Sequence, residues 1–166
     1  FRHAVITPLD MIKGNVLASE VAAFLWACIS RIGNPANMLF VGGTASGKTT
    51  MLNAFSMFVA NEERIVVIED TPELQIKQPN IVRMVSDKEK GIDMDALLKN
   101  ALRMRPDRIV VGEVRRKPEA EVLFEAMHTG HSVYATVHAD TAEQTVRRLT
   151  TPPIDLPESE LEALPV

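Results

Sequence analysis

A single cysteine, Cys28, stands in a chain of 166 residues. That excludes a disulfide framework and a cysteine-built zinc site, and it suits a reducing compartment, with the cytoplasm as the default expectation. Long apolar runs are missing too. The longest, Val21 to Ile29, falls well short of the roughly 20 residues that a bilayer crossing needs, and no charged-then-apolar leader precedes it. Positive charge is not in excess: 18 Lys and Arg stand against 22 Asp and Glu, a formal net charge of −4 with a pI near 5.6. The chain therefore has no global attraction for DNA or anionic lipid, and nucleic acid is not expected as a partner, although local basic patches stay open. Internal repeats and low-complexity tracts are absent. Apolar material is not scarce: at 46% hydrophobic and 24% charged the chain can close one domain core and does not read as disorder or coiled coil. With Phe1 at its start and Glu162-Ala163-Leu164-Pro165-Val166 at its end, it reads as a piece cut from something longer.

Residues 1–18 show no sustained period and contain Pro8 and Gly14, so an extended lead-in from an upstream domain is expected there, with residues 19–166 as one folded unit. From Ser19, apolar residues at Val21, Phe24, Leu25, Cys28 and Ile32 follow the spacing of an amphipathic helix, with Gly33 as its stop. Met38-Leu39-Phe40-Val41 is a continuous apolar run bounded by Asn37 and Gly42-Gly43, the pattern of a strand buried on both faces. It recurs at Ile65-Val66-Val67-Ile68 and at Ile109-Val110-Val111. Helices are expected from Lys48 to Ala60, from Met94 through Leu97, Leu98, Ala101 and Leu102 to a stop at Arg105-Pro106, and from Pro118 to Met127 ahead of Gly130. Ser132 to Val137 reads as a further strand, and Asp140 with Glu143 as the cap and box of a helix running through Leu149. Trp26, the methionines and the phenylalanines fall on apolar faces and are expected in the core. Such alternation predicts an α/β fold, a mainly parallel sheet flanked by helices, with ligands beyond the C-terminal ends of the strands.

The sharpest motif is Gly42-Gly43-Thr44-Ala45-Ser46-Gly47-Lys48-Thr49, which fits G-x-x-x-x-G-K-[ST] between a predicted strand and a predicted helix. Glycines let such a loop wrap tightly, successive N–H groups and the helix N-terminus face phosphate oxygens, and Lys48 adds a point charge. Thr49 would put its hydroxyl on Mg²⁺, and Thr50 continues the same turn. Carboxylates follow two apolar strands, in Glu69-Asp70-Thr71-Pro72-Glu73 and at Gly112-Glu113. At that edge a carboxylate can hold Mg²⁺ through water or orient the attacking water; Glu113 is the stronger water-activating group and Glu69 its partner in arranging it. Arg103, Arg105, Arg108, Arg115 and Arg116 flank the Glu113 strand, and guanidinium groups there could stabilise a transferring phosphoryl group, in the same chain or from a neighbour, with Arg105 taken as catalytic. His128, His131 and His138 bracket the last strand. His131 and His138 could hydrogen-bond a terminal phosphate, while a zinc site is disfavoured because no cysteine helps and no helical pair is formed.

GGTASGKTT, IEDTPEL, LRMRPDRIVVGEVR and HTGHSVYATVHADT, in that order, resemble the secretion ATPases of type II and type IV systems, which include pilus and archaeal-flagellum motors. The resemblance covers nearly the whole chain. It implies a RecA-like ATPase domain, following an N-terminal domain, in a homo-hexameric ring that uses ATP and Mg²⁺ and associates peripherally with the cytoplasmic membrane through an inner-membrane platform protein. In the family's terms residues 42–49 are the Walker A loop, Glu69 to Glu73 the Asp box, Glu113 the Walker B glutamate and His131 to His138 the His box. Thr7-Pro8-Leu9-Asp10 and Thr151-Pro152-Pro153-Ile154 look most like the archaeal and type IV branch, and the four-cysteine element usual in the bacterial type II branch is lacking. A GTPase would carry an N-K-x-D segment, which is missing, and a small-molecule kinase would not explain the Glu113 strand end followed by the His box. A ring motor acting on nucleic acid and a nucleotide switch without hydrolysis remain the alternatives.

Overall fold

The computed structural model describes residues 5–30 and 35–164. Five parallel strands form one sheet: β1 (Met38–Gly42), β2 (Ile65–Glu69), β3 (Ile81–Val85), β4 (Arg108–Val111) and β5 (Ser132–His138), in the spatial order β1-β5-β4-β2-β3. Strand residues alternate between two cores. Val66, Ile68, Ile109, Val111, Val133 and Ala135 face one side, where α4 (Met94–Leu102), α5 (Lys117–His128) and α6 (Ala142–Thr150) bring Leu98, Phe124 and Leu149. Ile65, Val67, Val110 and Tyr134 face the other, against α1 (Pro8–Lys13), α2 (Ser19–Ile29) and α3 (Lys48–Phe55) with Met11, Ile29 and Phe55. Because both faces are covered, the central strands read as continuous apolar runs.

Several expectations change. Residues 8–13 are helical rather than extended: Thr7 caps α1 by accepting from Asp10 N–H at 3.2 Å while Asp10 accepts from Thr7 N–H at 2.9 Å, and Pro8 occupies the first turn. Met11 then joins the core, which ties the supposed lead-in to the domain. β3 was not expected; it is an edge strand, half-exposed and interrupted by Arg83, so its apolar pattern is diluted. The helix after the phosphate-loop motif stops at Phe55 and tightens into a 3₁₀ turn, Ser56–Phe58, instead of reaching Ala60. Ser56 bends it by donating back to the Leu52 carbonyl at 2.6 Å. The cap of α6 is Thr141, which accepts from Gln144 N–H, and not Asp140 with Glu143. On α2 the inward stripe is Ala22, Leu25 and Ile29, so Phe24 and Trp26 are exposed rather than in the core. The expected helix end at Ile32 and Gly33 lies outside the described residues.

Candidate functional site

The C-terminal ends of the strands open into a cleft of about 640 Å³. Its floor is the loop between β1 and α3. Gly47 has φ 91°, the left-handed region that suits glycine, and hands the chain into α3. Gly42 is constrained differently: a Cβ there would come 2.2 Å from Ser46 Oγ. Lys48 points back across the loop and donates to the carbonyls of Gly42 and Gly43 at 2.8 and 2.7 Å. Thr44, Ala45, Ser46, Gly47, Lys48, Thr49 and Thr50 all line the cleft, while Gly42 and Gly43 form the base of the loop. The loop thus offers backbone N–H groups, a helix N-terminus, an ammonium and hydroxyls to one space, a set that suits a phosphate chain.

Two carboxylates face this loop with different duties. Glu69, at the end of β2, is only 3% exposed. Its Oε1 accepts from the Glu73 and Leu74 N–H groups, both at 2.9 Å, and its Oε2 lies 4.0 Å from Arg83. Gly112 makes room for it, since a Cβ at that position would stand 3.2 Å from Glu69 Cγ. Glu69 lines the cleft, yet its bonds fold the acidic turn of residues 70–74; this favours an organising duty over the direct metal-ligand reading. Glu113, two residues past β4, reaches the cleft with its carboxylate paired to Arg115 at 2.7 Å. The carboxylate raises the Arg115 pKa, chiefly through that hydrogen bond. His138, at the end of β5, meets Thr44 Oγ1 at 2.9 Å and so joins the fifth strand to the phosphate loop.

The other predicted groups are not brought together here. His131 precedes β5 at the opposite end of the sheet, roughly 20 Å of strand from His138; it hydrogen-bonds with Thr129 Oγ1 at 3.2 Å and Ala126 O at 3.3 Å. His128 lies on α5 beside Glu160. Arg103 and Arg105 sit in the connection from α4 into β4, also at the far end, so Arg105 is not a residue of this cleft. Arg108 is fully buried at the start of β4, bonded to Glu63 at 2.5 Å. Arg116 pairs with Glu119 at the entry to α5. Of the five, Arg115 alone lines the cleft. A strand's two ends are close in sequence and far apart in space, which is why clustering along the chain misled.

Among the described residues no group of three or more His, Cys, Asp or Glu side chains is arranged to hold a metal ion. The cleft does carry Glu69, Asp70, Glu73 and Glu113 against Lys48 and Arg115, an acidic surplus that a polyanion could join only with added positive charge. Thr49 and the cleft carboxylates are oxygen donors, the kind that a hard cation such as Mg²⁺ takes.

Sequence reasoning missed the residues that hold the acidic loop. Arg83 on β3 donates to the carbonyls of Leu74 and Ile76 at 2.9 and 2.7 Å, and Asn53 on α3 accepts from Gln75 N–H at 2.8 Å. Ser86 donates to Asp70. A lone arginine within Ile81–Val85 was the available signal, hidden because the strand itself was not recognised. Arg83→Ala is expected to cost about 1–3 kcal/mol of stability and to speed hydrogen exchange at Gln75 and its neighbours. Unchanged exchange there would remove Arg83 from this duty.

The chain is similar to known proteins both in sequence and in fold. The family model described as Type II/IV secretion system protein matches residues 22–155. The protein MJ0781 of Methanocaldococcus jannaschii, itself uncharacterised, is 51% identical over 139 residues, 79% of this chain and 19% of the relative. The crystal structure of the VirB11 ATPase from the Brucella suis type IV secretion system, in complex with sulphate, superposes with TM-score 0.72 at 27% identity over 95% of this chain and 48% of that one. The pilus retraction motor PilT with bound ADP gives TM-score 0.65 at 28% identity, over 89% of this chain and 41% of that one. The chain thus spans less than half the length of each of these three.

Proposed function

This chain belongs to the type II/IV secretion system protein family, and on that premise we propose that it is the Mg-ATP-hydrolysing domain of a longer motor that powers protein secretion or the assembly of pilus-like filaments. The observation that carries the reading is the convergence of Lys48, Thr49, Glu113 and His138 on one cleft from three separate strand ends. Phosphoryl transfer demands positioning and charge neutralisation more than covalent chemistry, and the loop supplies both for a triphosphate. Bound Mg²⁺ would neutralise phosphate charge. Glu113 takes the role of orienting and activating water, Glu69 keeps the acidic turn in place, and His138 with Thr44 reports on the loop.

The longer protein is proposed to act as a homo-hexameric ring on the cytoplasmic side of the membrane, held there by an inner-membrane platform protein. No helix among the described residues is long and apolar enough to cross a membrane. A role on nucleic acid has less support, because the arginines around β4 are divided between opposite ends of the sheet. Neighbouring subunits could supply a further arginine, worth 10³ to 10⁵ in rate in other phosphate-loop enzymes.

Lys48→Ala tests the site. Losing a charged hydrogen-bond donor to phosphate should weaken Mg-ATP binding about 10- to 100-fold, read by calorimetric titration, while the melting temperature without nucleotide stays near that of the parent. Unchanged affinity in a folded Lys48→Ala protein would sink the assignment.

A further inference from the structure

Among the described residues, the Lys and Arg side chains that line the cleft are Lys48 and Arg115, and they are held in opposite ways. Lys48 lies along the loop against two carbonyls. Arg115 has a fixed base and a free arm. Its backbone N–H donates to Glu119 Oε2 at 2.9 Å, and the next N–H, of Arg116, donates to the same oxygen at 3.0 Å. Glu119 is buried, so the chain entering α5 is pinned. The Arg115 side chain is 55% exposed and uses one nitrogen on Glu113 at 2.7 Å, the other standing 3.7 Å from Asp70. A half-exposed, single-toothed ion pair is weak, whereas a guanidinium on phosphate can make two parallel bonds.

The pairing has a chemical cost for Glu113. The Glu113 oxygen that holds Arg115 is occupied and is not available to water. We propose that Arg115 alternates between Glu113 and the terminal phosphate of a bound nucleoside triphosphate, so that Glu113 is released toward water only when a third phosphate is present. Arg115 is then a positioning residue for Glu113 in one arrangement and a phosphate ligand in the other. No bond is made or broken in the exchange; one ion pair replaces another. A diphosphate leaves the Glu113 pair intact, which makes the arm a discriminator between substrate and product.

This inference rests on the nucleotide-site reading above, and its test separates the two. The full chain and its Arg115→Gln, Arg115→Lys and Lys48→Ala variants are titrated by calorimetry with Mg-ADP and with slowly hydrolysed Mg-ATPγS. The Arg115 side-chain Nε–H resonance is followed in parallel by NMR. Arg115→Gln should weaken ATPγS about tenfold, the scale of one lost charged contact, and leave ADP affinity within about twofold, with Arg115→Lys in between. The resonance should move with ATPγS and stay with ADP. Equal losses for both nucleotides, or a resonance indifferent to ATPγS, overturn the arm while Lys48→Ala, losing both nucleotides, upholds the site. A parent chain that binds neither nucleotide overturns the site reading, and the arm with it.

Discussion

Glu113→Gln, introduced into the longer protein proposed above, is expected to leave ATP binding in place and to lower turnover by on the order of 10²-fold or more, the scale of acid–base assistance. The amide keeps the size of the side chain and can still accept a hydrogen bond, so the loss reports the missing charge. The structure sharpens the expectation. Glu113 follows Gly112 out of β4, lines the cleft and meets Arg115 there. Glu69, by contrast, is buried and spends Oε1 on two backbone N–H groups. Glu69→Gln should therefore act mainly through the order of residues 70–74, with a loss of stability accompanying any loss of rate. Single-turnover measurement beside equilibrium binding separates the two variants. Near-normal turnover in Glu113→Gln would return the water-activating role to Glu69.

Arg108→Ala is expected to cost about 3–5 kcal/mol, the scale for breaking a buried ion pair from one side. Against the roughly 5–15 kcal/mol that holds a domain together, that removes a large share of the margin. Arg108 is fully buried at the foot of β4, where it donates to Glu63 Oε2 at 2.5 Å and Oε1 at 3.1 Å, to Ser132 Oγ at 3.1 Å, to the Ile29 carbonyl at 2.6 Å, and to Tyr134. One guanidinium thus joins the end of α2 to two adjacent strands. Burial pushes the Tyr134 pKa up, so the phenol stays protonated and accepts from Arg108 as a neutral group. Truncation strips the buried Glu63 carboxylate of its guanidinium partner. Replacing both charges together, as Arg108→Met with Glu63→Leu, should be clearly milder than Arg108→Ala, because the cost lies in the charge left behind. Urea denaturation midpoints decide it. A loss below about 1 kcal/mol in Arg108→Ala would show that this network is dispensable.

The contrast between these two residues shows where sequence reading succeeds. The places of Glu113 and of the loop between β1 and α3 were legible because they are set locally: a short apolar run, then a turn whose glycines and lysine are contiguous, keeps its own polar groups within one strand end and one helix start. Arg108 and Arg105 stand close in sequence to Glu113 yet lie away from the cleft of their own chain, because a strand carries Glu113 to the other end of the sheet. His131 and His138 repeat the point across β5. Ile81–Val85 escaped notice because an edge strand needs only one buried face and tolerates an arginine, so its pattern is weak. α1 was legible in principle from Thr7, Pro8 and Asp10, but a helix of 6 residues carries too few periodic positions to declare itself.

By itself, then, the order of residues determined the α/β class, the phosphate-loop site and the strand end from which Glu113 emerges, since each depends on backbone geometry and burial patterns that act over a few neighbouring positions. Tertiary structure alone decided which charged groups meet. The order β1-β5-β4-β2-β3 sets the end of β5 beside the loop after β1 and the end of β2 beside that of β4. That is how Thr44 finds His138, how Gly112 makes room for Glu69, and how Arg115 comes to stand between Glu113 and Asp70. Such pairings follow from long-range packing of two apolar cores on one sheet, and a charge run along the chain carries no information about them.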